Sequence, residues 1–486
     1  MAPGLHLDFH YDISCPYAYI ASTLLPGLQR RHPTLTINYR PVLLGAIYRA
    51  TSAPQGAGGS ASDVFNPTKR EVSGVGFGRT IRRLGVDYQS NPKHPIKTTK
   101  ALRLLYCVEG QERVTLTGKL YQAYWVEQKD VSDTAELNGL VKDCKKLARG
   151  TKEKLLDLLG NGGFEGEKQR KQLEESTDLA LQRGAFGVPG FWIQEEGRLY
   201  WGQDRLHFVE KALFAMEGAG QEQALEALVP RYVPHYQREI PQGEEVKLQF
   251  WYDFSSPWAF LGWTQLARLQ RIFGSRLEIE MKPFLLGILF REIGAPNLPM
   301  GAISEFKRKY VGLDQGDWVK WWNDINRQNG RPDKNIDFKW ADVFPIRTPT
   351  VLRAVLVEPR LVDILFRACW EQNKDVASEQ VLHSVISEAG YDATKIISEA
   401  NKPAIKEQLR ALTKEAKDTG LCGVPSYRIF RRKIGQGDQA WSLSSEIIWG
   451  QDELAVVEDL ISGWDGQSSI KDARKFAQSQ RSSAKL

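Results

Sequence analysis

The sequence lacks the cysteine pairs that a disulfide framework, a zinc knuckle or a two-cysteine redox motif would require. Its five cysteines are scattered and odd in number, and no two of them are three positions apart. The seven histidines form no cluster with cysteine or acid at metal-ligand spacing. We therefore expect a reducing compartment and no bound metal.

Long apolar runs and a large excess of one charge are also missing. No uninterrupted apolar stretch approaches the roughly 18 residues that read as a membrane span, and residues 1–10 lack the basic start and apolar core of a secretory signal. The 65 basic and 59 acidic side chains give a net charge of +6, and residues 466–486, with five bases and one acid, carry +4 of it. The rest is near neutral, so we expect neither nucleic acid nor membrane as a partner.

The sequence does contain one set of segments twice, in the same order. The pairs are residues 12–20 (DISCPYAYI) and 253–261 (DFSSPWAFL), 40–45 (RPVLLG) and 282–287 (KPFLLG), 187–189 and 423–425 (both GVP), and 201–204 and 449–452 (both WGQD). Their offsets lie between 236 and 248 residues, which predicts a duplicated domain. We predict a first domain over 1–217, a linker over 218–245, a second domain over 246–464 and a flexible C-terminal segment over 465–486.

The sequence predicts the same order of strands and helices in each half. A strand rich in aliphatic and aromatic residues is followed by Pro16 or Pro257, which suits the first position of a helix because its missing N–H would be unpaired there. A second strand completes a βαβ unit, and helical patterns then dominate as far as Arg183 or Lys417. Two short strands and a helix close each half. This order predicts an α/β protein of two tandem thioredoxin-like domains, each with an inserted all-helical subdomain.

Several segments together carry a family resemblance. They are residues 11–18 (YDISCPYA), 40–45, 184–189 (GAFGVP) and 201–205 (WGQDR) in the first half, and the repeated segments with 306–310 (FKRKY) and 344–348 (FPIRT) in the second. Both halves resemble kappa-class glutathione transferases and 2-hydroxychromene-2-carboxylate isomerases, which belong with the DsbA-like thioredoxin folds. The resemblance covers almost all of residues 5–464 and implies glutathione as a cosubstrate.

The residue before the helix-opening proline is Cys15 in the first half and Ser256 in the second. Free N–H groups and the helix dipole favour negative charge there by about 0.3–1 kcal/mol, so a thiolate would be stabilised. In the resembled family a serine here supports the glutathione thiolate, and in DsbA-like oxidoreductases a cysteine attacks. We predict that both residues are catalytic, although no resolving cysteine follows at Ala18. Cys15 should then be the most acidic of the five thiols; the alternative is a small buried helix-cap residue.

The resemblance also implies which loop would hold the middle of glutathione. Pro189 and Pro425 resemble the cis-proline of this fold, and an X-Pro bond tolerates the cis form far better than other peptide bonds. Val188 and Val424 would then pair their backbone groups with the cysteinyl part of glutathione, as an added strand does. The alternative is an ordinary turn.

The resemblance implies that two further positions in each half hold the γ-glutamyl end of glutathione. They are Gln203 and Asp204 in the first half and Gln451 and Asp452 in the second. The aspartate carboxylate would pair with the ammonium group of the ligand. The free backbone N–H groups at the helix start would donate to the ligand's carboxylate. Asp is also a good N-cap, so helix capping is the alternative.

A family lysine between the second strand and the insertion would bind the glycyl end. Lys307 fits well in the second half, whereas its counterpart Lys69 in the first half lacks the tyrosine three residues on and has Val72 there. Glu453 stands where the first half has Arg205, which adds negative charge beside an anionic ligand. The first half thus keeps its thiol and arginine, and the second keeps its serine and lysine segment.

Together these residues predict a glutathione-dependent enzyme. Its thiolate would add to a small conjugated or aromatic electrophile, and the adduct would either be kept (transferase) or be eliminated after bond rotation (cis–trans isomerase). Two alternatives stay open: a monothiol DsbA-like thiol–disulfide oxidoreductase that uses Cys15, and a non-catalytic binding module. If each half stands for one subunit of a dimer, the chain is a pseudo-dimer that works as a monomer.

Residues 484–486 (AKL) resemble the Ser-Lys-Leu peroxisomal address, which is read by a receptor. The preceding polar segment holds almost no large apolar residues and cannot bury enough surface to fold by itself. We therefore expect a peroxisomal import receptor as a partner and a peroxisomal location, with the cytoplasm as the alternative.

Overall fold

The chain forms two compact units that do not coincide with the two halves of the sequence. The computed structural model describes residues 4–56, 59–60, 62–218 and 239–469. The first unit contains Met1–Val64, Gly85–Arg231 and Ile303–Gln315, and the second contains Phe65–Leu84, Tyr232–Ala302 and Gly316–Leu486. Each unit thus includes a short segment from the other half, which the predicted boundaries at 217 and 246 do not include. Most of the predicted linker and the 484–486 address lie outside the described residues.

The first unit is built on a mixed sheet in the order β2-β1-β3-β4. Its strands are β1 (Leu5–Tyr11), β2 (Leu35–Pro41), β3 (Gly190–Ile193) and β4 (Arg198–Trp201). β1 pairs parallel with β2, Leu5 lying opposite Leu35, and antiparallel with β3, Phe9 lying opposite Phe191. β3 in turn pairs antiparallel with β4. The parallel pair is the βαβ unit that the sequence predicts.

The helices of the first half follow the predicted order. They are α1 (Pro16–Arg31), α2 (Leu44–Ala50), α3 (Pro67–Leu84), α4 (Thr99–Leu105), α5 (Gly110–Trp125), α6 (Thr134–Asp143), α7 (Arg149–Asn161), α8 (Glu167–Gln182) and α9 (Leu206–Met216). α1 begins at Pro16, as predicted. The helices α2 to α8 separate β2 from β3 in the chain, and α3 is the one that belongs to the second unit.

The second unit repeats this sheet in the order β6-β5-β7-β8, with β9 also paired to β7. Its strands are β5 (Glu244–Tyr252), β6 (Leu277–Pro283), β7 (Ser426–Lys433), β8 (Ser442–Leu443) and β9 (Ile448–Trp449). β5 pairs parallel with β6 and antiparallel with β7. Its central strand therefore has the neighbours that β1 has in the first unit.

The helices of the second half are numbered on from the first. They are α10 (Pro257–Thr264), α11 (Leu266–Phe273), α12 (Leu286–Glu292), α13 (Glu305–Gln328), α14 (Pro349–Val357), α15 (Leu361–Trp370), α16 (Glu379–Glu388), α17 (Ala393–Ala400), α18 (Pro403–Asp418) and α19 (Leu454–Ile461). The residues of α13 up to Gln315 belong to the first unit.

One buried tryptophan in each unit ties the helical insertion to the loop before α1 or α10. Trp125 Nε1 donates to the carbonyl oxygen of Ile13, and Trp370 Nε1 donates to that of Phe254, both at 2.9 Å. An indole N–H can only donate, and a buried one usually finds such an acceptor. The insertion is thereby fixed against the segment that leads into the candidate site.

Within the described ranges no helix combines the length and the apolar character that crossing a bilayer requires. In the same part of the chain, no group of three or more histidine, cysteine or acidic side chains is arranged to hold a metal ion.

Candidate functional site

Cys15 lies at the start of α1 and faces the Gly-Val-Pro loop of its own unit. Its backbone is extended, with φ −95° and ψ 114°, and Pro16 occupies the first turn of the helix. Cys15 Sγ donates a hydrogen bond to the carbonyl oxygen of Val188 at 3.2 Å. The structure thus brings together two residues that are far apart in the sequence and that the resemblance places in one site.

The Cys15 thiol is not acidic. Burial raises its pKa to about 12, and the N–H groups of Ala18 and Tyr17 act in the opposite direction but more weakly. Burial raises the pKa of Cys107 as well, to about 11. The prediction that Cys15 is the most acidic of the five thiols is therefore wrong, because lost hydration of the thiolate outweighs the N–H groups of the helix start.

This burial has a measurable consequence at alkaline pH. We expect the alkylation rate of Cys15 by iodoacetamide, followed by peptide mass spectrometry, to rise about tenfold per pH unit from pH 7 to 10 without a plateau. A plateau near pH 8 would contradict the raised pKa. The pKa of this thiol is higher in the folded state than the value of about 8.5 in an unfolded chain. The thiol therefore makes the folded state less stable as the pH rises from about 8.5 towards 12.

Both Gly-Val-Pro loops contain a cis peptide bond, between Val188 and Pro189 and between Val424 and Pro425. The cis-proline geometry that the resemblance implies is confirmed in both halves. Two other cis bonds, His94–Pro95 and Phe344–Pro345, are not predicted from the sequence.

Each cis-proline loop is bonded to the WGQD turn of the same unit. Gly202 N donates to the carbonyl oxygen of Pro189, and Gly450 N donates to that of Pro425, both at 3.0 Å. The turns 203–205 and 451–453 pack against α1 and α10, respectively. The predicted site residues are therefore assembled as two sets: Cys15, Val188, Pro189, Gln203 and Asp204 in the first unit, and Ser256, Val424, Pro425, Gln451 and Asp452 in the second.

The glycine of each Gly-Val-Pro loop is required by a tryptophan that lies against it. A Cβ at Gly187 would lie 3.0 Å from Trp201 Nε1, and a Cβ at Gly423 would lie 2.8 Å from Trp449 Nε1. Each tryptophan begins the WGQD segment of its unit. One contact thus accounts for two of the repeated motifs.

We expect Gly423→Ala to lower the free energy of unfolding by about 1–3 kcal/mol, because the added methyl group overpacks the loop against Trp449. Urea denaturation measures this change. Gly287→Ala in α12 is the control: nothing lies within 4 Å of its added methyl group, and alanine is favoured in a helix. Equal stability of the two variants would contradict the packing argument.

Asp204 and Asp452 do not occupy helix-cap positions. In the first unit the cap residues are Gly202 for the short turn and Arg205 for α9, and the second unit repeats this arrangement. Gly202 has a φ of 103°, in the left-handed region, and a Cβ there would collide with the Asp204 carboxylate. The Asp204 carboxylate pairs with Arg205. The capping alternative therefore does not account for these aspartates.

The two predicted lysines lie in the units opposite to those that the sequence suggests. Lys69, on α3, belongs to the second unit, where its Nζ is 5.5 Å from the ring centroid of Trp449. Lys307, on α13, belongs to the first unit, where its Nζ is 5.5 Å from the ring centroid of Trp201. The assignment of Lys69 to the first half's site and of Lys307 to the second's is wrong, because these helical segments are exchanged.

The tyrosine that follows Lys307 fixes the exchanged segment of the first unit. The Tyr310 hydroxyl accepts from Trp201 N at 2.9 Å and donates to the carbonyl oxygen of Trp201 at 3.3 Å. Its ring centroid lies 5.4 Å from that of Phe186, the residue before the Gly-Val-Pro loop. The Phe306–Tyr310 motif thus docks beside the loop and the turn of the first unit's site.

In the second unit Cys422 takes the place in the repeat that Phe186 has in the first. Lys69 Nζ lies 4.3 Å from the ring centroid of Phe65, and burial lowers the pKa of Lys69. The charge of Lys69 lowers the pKa of Cys422, but burial dominates and raises it to about 12. Cys422 is therefore a neutral thiol close to a partly desolvated lysine.

Buried ion pairs hold both exchanged segments. In the first unit Arg205 donates to both carboxylate oxygens of Asp314, at 2.7 and 3.0 Å. In the second unit Arg83 of α3 donates to Asp459 at 2.7 Å, and both side chains are at most 7% exposed. Sequence analysis missed Asp314, Arg83 and Asp459.

The residue that follows the WGQD segment has opposite charge in the two units. Glu453 is the counterpart of Arg205, and it interacts electrostatically with Arg79 of α3. An arrangement that brought Arg79 to Arg205, or Asp314 to Glu453, would place like charges together. Repulsion between like charges disfavours that alternative arrangement. The difference between Arg205 and Glu453 was the one signal of the exchange in the sequence.

Ser256 caps α10 and keeps a proton to donate. Its Oγ accepts from Ala259 N at 3.2 Å, and the side chain is buried. A hydroxyl group that accepts one hydrogen bond still has its own O–H. Ser256 can therefore donate to a sulfur or oxygen atom of a ligand at the helix start.

A buried aspartate orders the loop before each helix start, and sequence analysis missed it. Asp12 accepts from Leu44 N at 2.9 Å and from Thr98 Oγ1 at 2.7 Å. Asp253 accepts from Leu286 N at 2.9 Å in the same way. Burial raises the pKa of both carboxyl groups, although these donors act in the opposite direction. The signal was an aspartate at the same place in both repeats.

Comparison with known proteins agrees with the duplication. The family model of the DSBA-like thioredoxin domain matches residues 6–214 and again 247–462. A 2-hydroxychromene-2-carboxylate isomerase of Sphingobium xenophagum is 28% identical over 210 residues, 43% of this chain and 97% of the relative. Glutathione S-transferase kappa 1 of Caenorhabditis elegans is 23% identical over 218 residues, 43% of this chain and 90% of the relative.

Among solved structures, a 2-hydroxychromene-2-carboxylate isomerase is 20% identical, with a TM-score of 0.37, over 46% of this chain and 100% of that one. The two matches to the domain model confirm the predicted tandem duplication and the predicted fold class.

Proposed function

Because this chain belongs to the family of DsbA-like thioredoxin domains, we propose that it is a glutathione-dependent transferase or cis–trans isomerase of small conjugated electrophiles. The observation that carries the proposal is the Ser256 hydroxyl at the start of α10, in the unit that also holds the cis Val424–Pro425 loop and Lys69. The names of two relatives, a kappa glutathione transferase and an isomerase, support the choice of thiol and of reaction.

In the second unit the residues match the parts of glutathione. The sulfur would lie at the start of α10, where Ser256 donates to it and the helix dipole favours negative charge. The backbone of Val424 would pair with the cysteinyl residue. Asp452 would hold the γ-glutamyl ammonium, and Lys69 the glycyl carboxylate.

The chemistry follows from a stabilised thiolate. A hydrogen bond from Ser256 lowers the thiol pKa from roughly 8.5 towards neutrality, so the thiolate forms at physiological pH. The thiolate adds to one carbon of a double bond that is conjugated with a carbonyl group. The electron pair of the double bond moves onto the carbonyl oxygen. Protonation of the adduct gives a transferase product. Rotation about the new single bond, followed by return of the electron pair and loss of the thiolate, gives a cis–trans isomer.

The first unit is less suited to this reaction. The Cys15 thiol occupies the Val188 carbonyl that an added peptide strand would use, and Arg205 already pairs with the Asp204 carboxylate. Burial keeps Cys15 protonated, which also disfavours a monothiol oxidoreductase there. We therefore place the reaction in the second unit.

Calorimetric titration with glutathione tests the proposal, and we expect one binding site per chain. In Ser256→Ala the thiol pKa of bound glutathione, read from thiolate absorbance against pH, should rise, and conjugation should slow about 10–100-fold as a hydrogen bond to a charged group is lost. Absence of binding would favour a non-catalytic module. Disulfide exchange without conjugation would favour a monothiol oxidoreductase.

A further inference from the structure

The buried side-chain amide of Gln451, in the second unit, has a hydrogen-bond partner for its oxygen but none among the described residues for its nitrogen. Gln451 is 1% exposed, and its Oε1 accepts a hydrogen bond from Trp322 Nε1 at 3.0 Å. Among the residues that the structure describes, none accepts a hydrogen bond from Gln451 Nε2. Buried donors are normally paired, so this one calls for an acceptor from elsewhere.

The indole decides which way the amide points. An indole N–H donates and never accepts, whereas an amide has one accepting end and one donating end. With the amide reversed, two donors would face each other. The contact with Trp322 therefore assigns the oxygen of Gln451 to the indole and the nitrogen to the other side.

Trp322 is itself held firmly. It is fully buried on α13, and its ring stacks against that of Trp318 with centroids 5.8 Å apart. The guanidinium of Arg268 lies 5.3 Å from its ring centroid and pairs with the Glu458 carboxylate. An indole fixed on two sides holds the amide in one orientation.

Among the described residues of the first half, Gln203 has no such indole partner. Gln203 is the counterpart of Gln451, and it is more exposed. With Lys69 aligned to Lys307, the counterpart of Trp322 is Leu84, whose side chain has no N–H to donate. The fixed amide is thus a property of the repeat that contains Ser256.

We propose that Trp322 is a positioning residue that holds Gln451 so that its Nε2 donates to the α-carboxylate of a bound γ-glutamyl group. Asp452, the next residue, offers a carboxylate to the ammonium of the same group. An ammonium and a carboxylate on one carbon are the shared chemistry of α-amino acids. The site would therefore select ligands with a free α-amino-acid end, an assignment that rests on the function proposed above.

Two variants separate orientation from packing. Trp322→Phe removes the N–H and keeps a buried aromatic ring. Gln451→Glu keeps an acceptor for Trp322 and replaces the donor with a carboxylate oxygen. Trp251→Phe is the matched control, because Trp251 is fully buried and its indole N–H has no partner among the described residues.

Each protein is titrated calorimetrically with glutathione and with cysteinylglycine, which lacks the γ-glutamyl group. We expect Trp322→Phe and Gln451→Glu to bind glutathione at least tenfold more weakly than the wild type, with unchanged affinity for cysteinylglycine. The control should bind both as the wild type does. Retained glutathione affinity in Gln451→Glu, or an equal loss for both ligands in Trp322→Phe, overturns this inference alone. A wild-type protein that binds no glutathione overturns the proposed function and this inference with it.

Discussion

Replacing Lys69 with alanine should weaken glutathione binding about 10–100-fold, although Lys69 and Ser256 belong to different halves of the sequence. The exchanged helix α3 brings the lysine into the second unit, where its ammonium would pair with the glycyl carboxylate. A hydrogen bond to a charged group contributes about 1.5–3 kcal/mol, which corresponds to this loss of affinity. Calorimetric titration of the variant measures it.

Lys307→Ala is the matched control, since Lys307 is the counterpart of Lys69 in the repeat. Because Lys307 lies beside Trp201 in the first unit, its loss should leave glutathione binding at the second unit unchanged. The opposite pair of results, with Lys307 required and Lys69 dispensable, would mean that each lysine serves its own half.

Arg83→Ala should lower the free energy of unfolding by about 3–5 kcal/mol, because it takes the guanidinium group away from the buried Asp459 carboxylate. The same change should weaken glutathione binding, since Arg83 helps to hold the helix that carries Lys69. Urea denaturation and calorimetry measure the two effects.

A surface pair provides the comparison for this variant. Arg170→Ala breaks an ion pair with Glu167 in which both side chains are about half exposed or more, so it should change stability far less. Adding Asp459→Asn to Arg83→Ala should recover part of the loss, since position 459 then carries no negative charge that has lost the Arg83 guanidinium. A similar loss in Arg83→Ala and Arg170→Ala would contradict the role assigned to the buried pair.

The repeated segments were sufficient to predict the fold and the cis-proline loops. A strand, a helix-opening proline and a Gly-Val-Pro loop occur in both halves, and each reports local backbone geometry that a sequence encodes directly. The cis bond before Pro189 and the start of α1 at Pro16 are of this kind. Local geometry repeated twice is a strong signal, because chance does not preserve order and spacing together.

The exchange of α3 could not be predicted in the same way. Lys69 and Lys307 were assigned by their order in the chain, and order says nothing about which distant surface a helix packs on. That choice depends on complementary charges such as Arg205 with Asp314, which lie more than a hundred residues apart. Only the contrast between Arg205 and Glu453 pointed towards it.

Cys15 shows a different limit of sequence analysis. The N–H groups at the start of a helix were predicted from the sequence, and they do lower the thiol pKa. The free-energy cost of removing a thiolate from water was not predicted, because the burial of a residue depends on every element that packs around it. For a group this deeply buried, desolvation is the larger effect.

Because α3 and the Lys307 segment are exchanged between the units, the two repeats are expected to evolve together. Under the proposed function, a substitution at Lys69 would be inherited with Cys15 but would act on the reaction beside Ser256. Selection on that reaction would then act on both halves of the gene. Neither unit takes all of its segments from one half of the sequence. A copy of one half alone would lack the segment that the other half contributes to its unit.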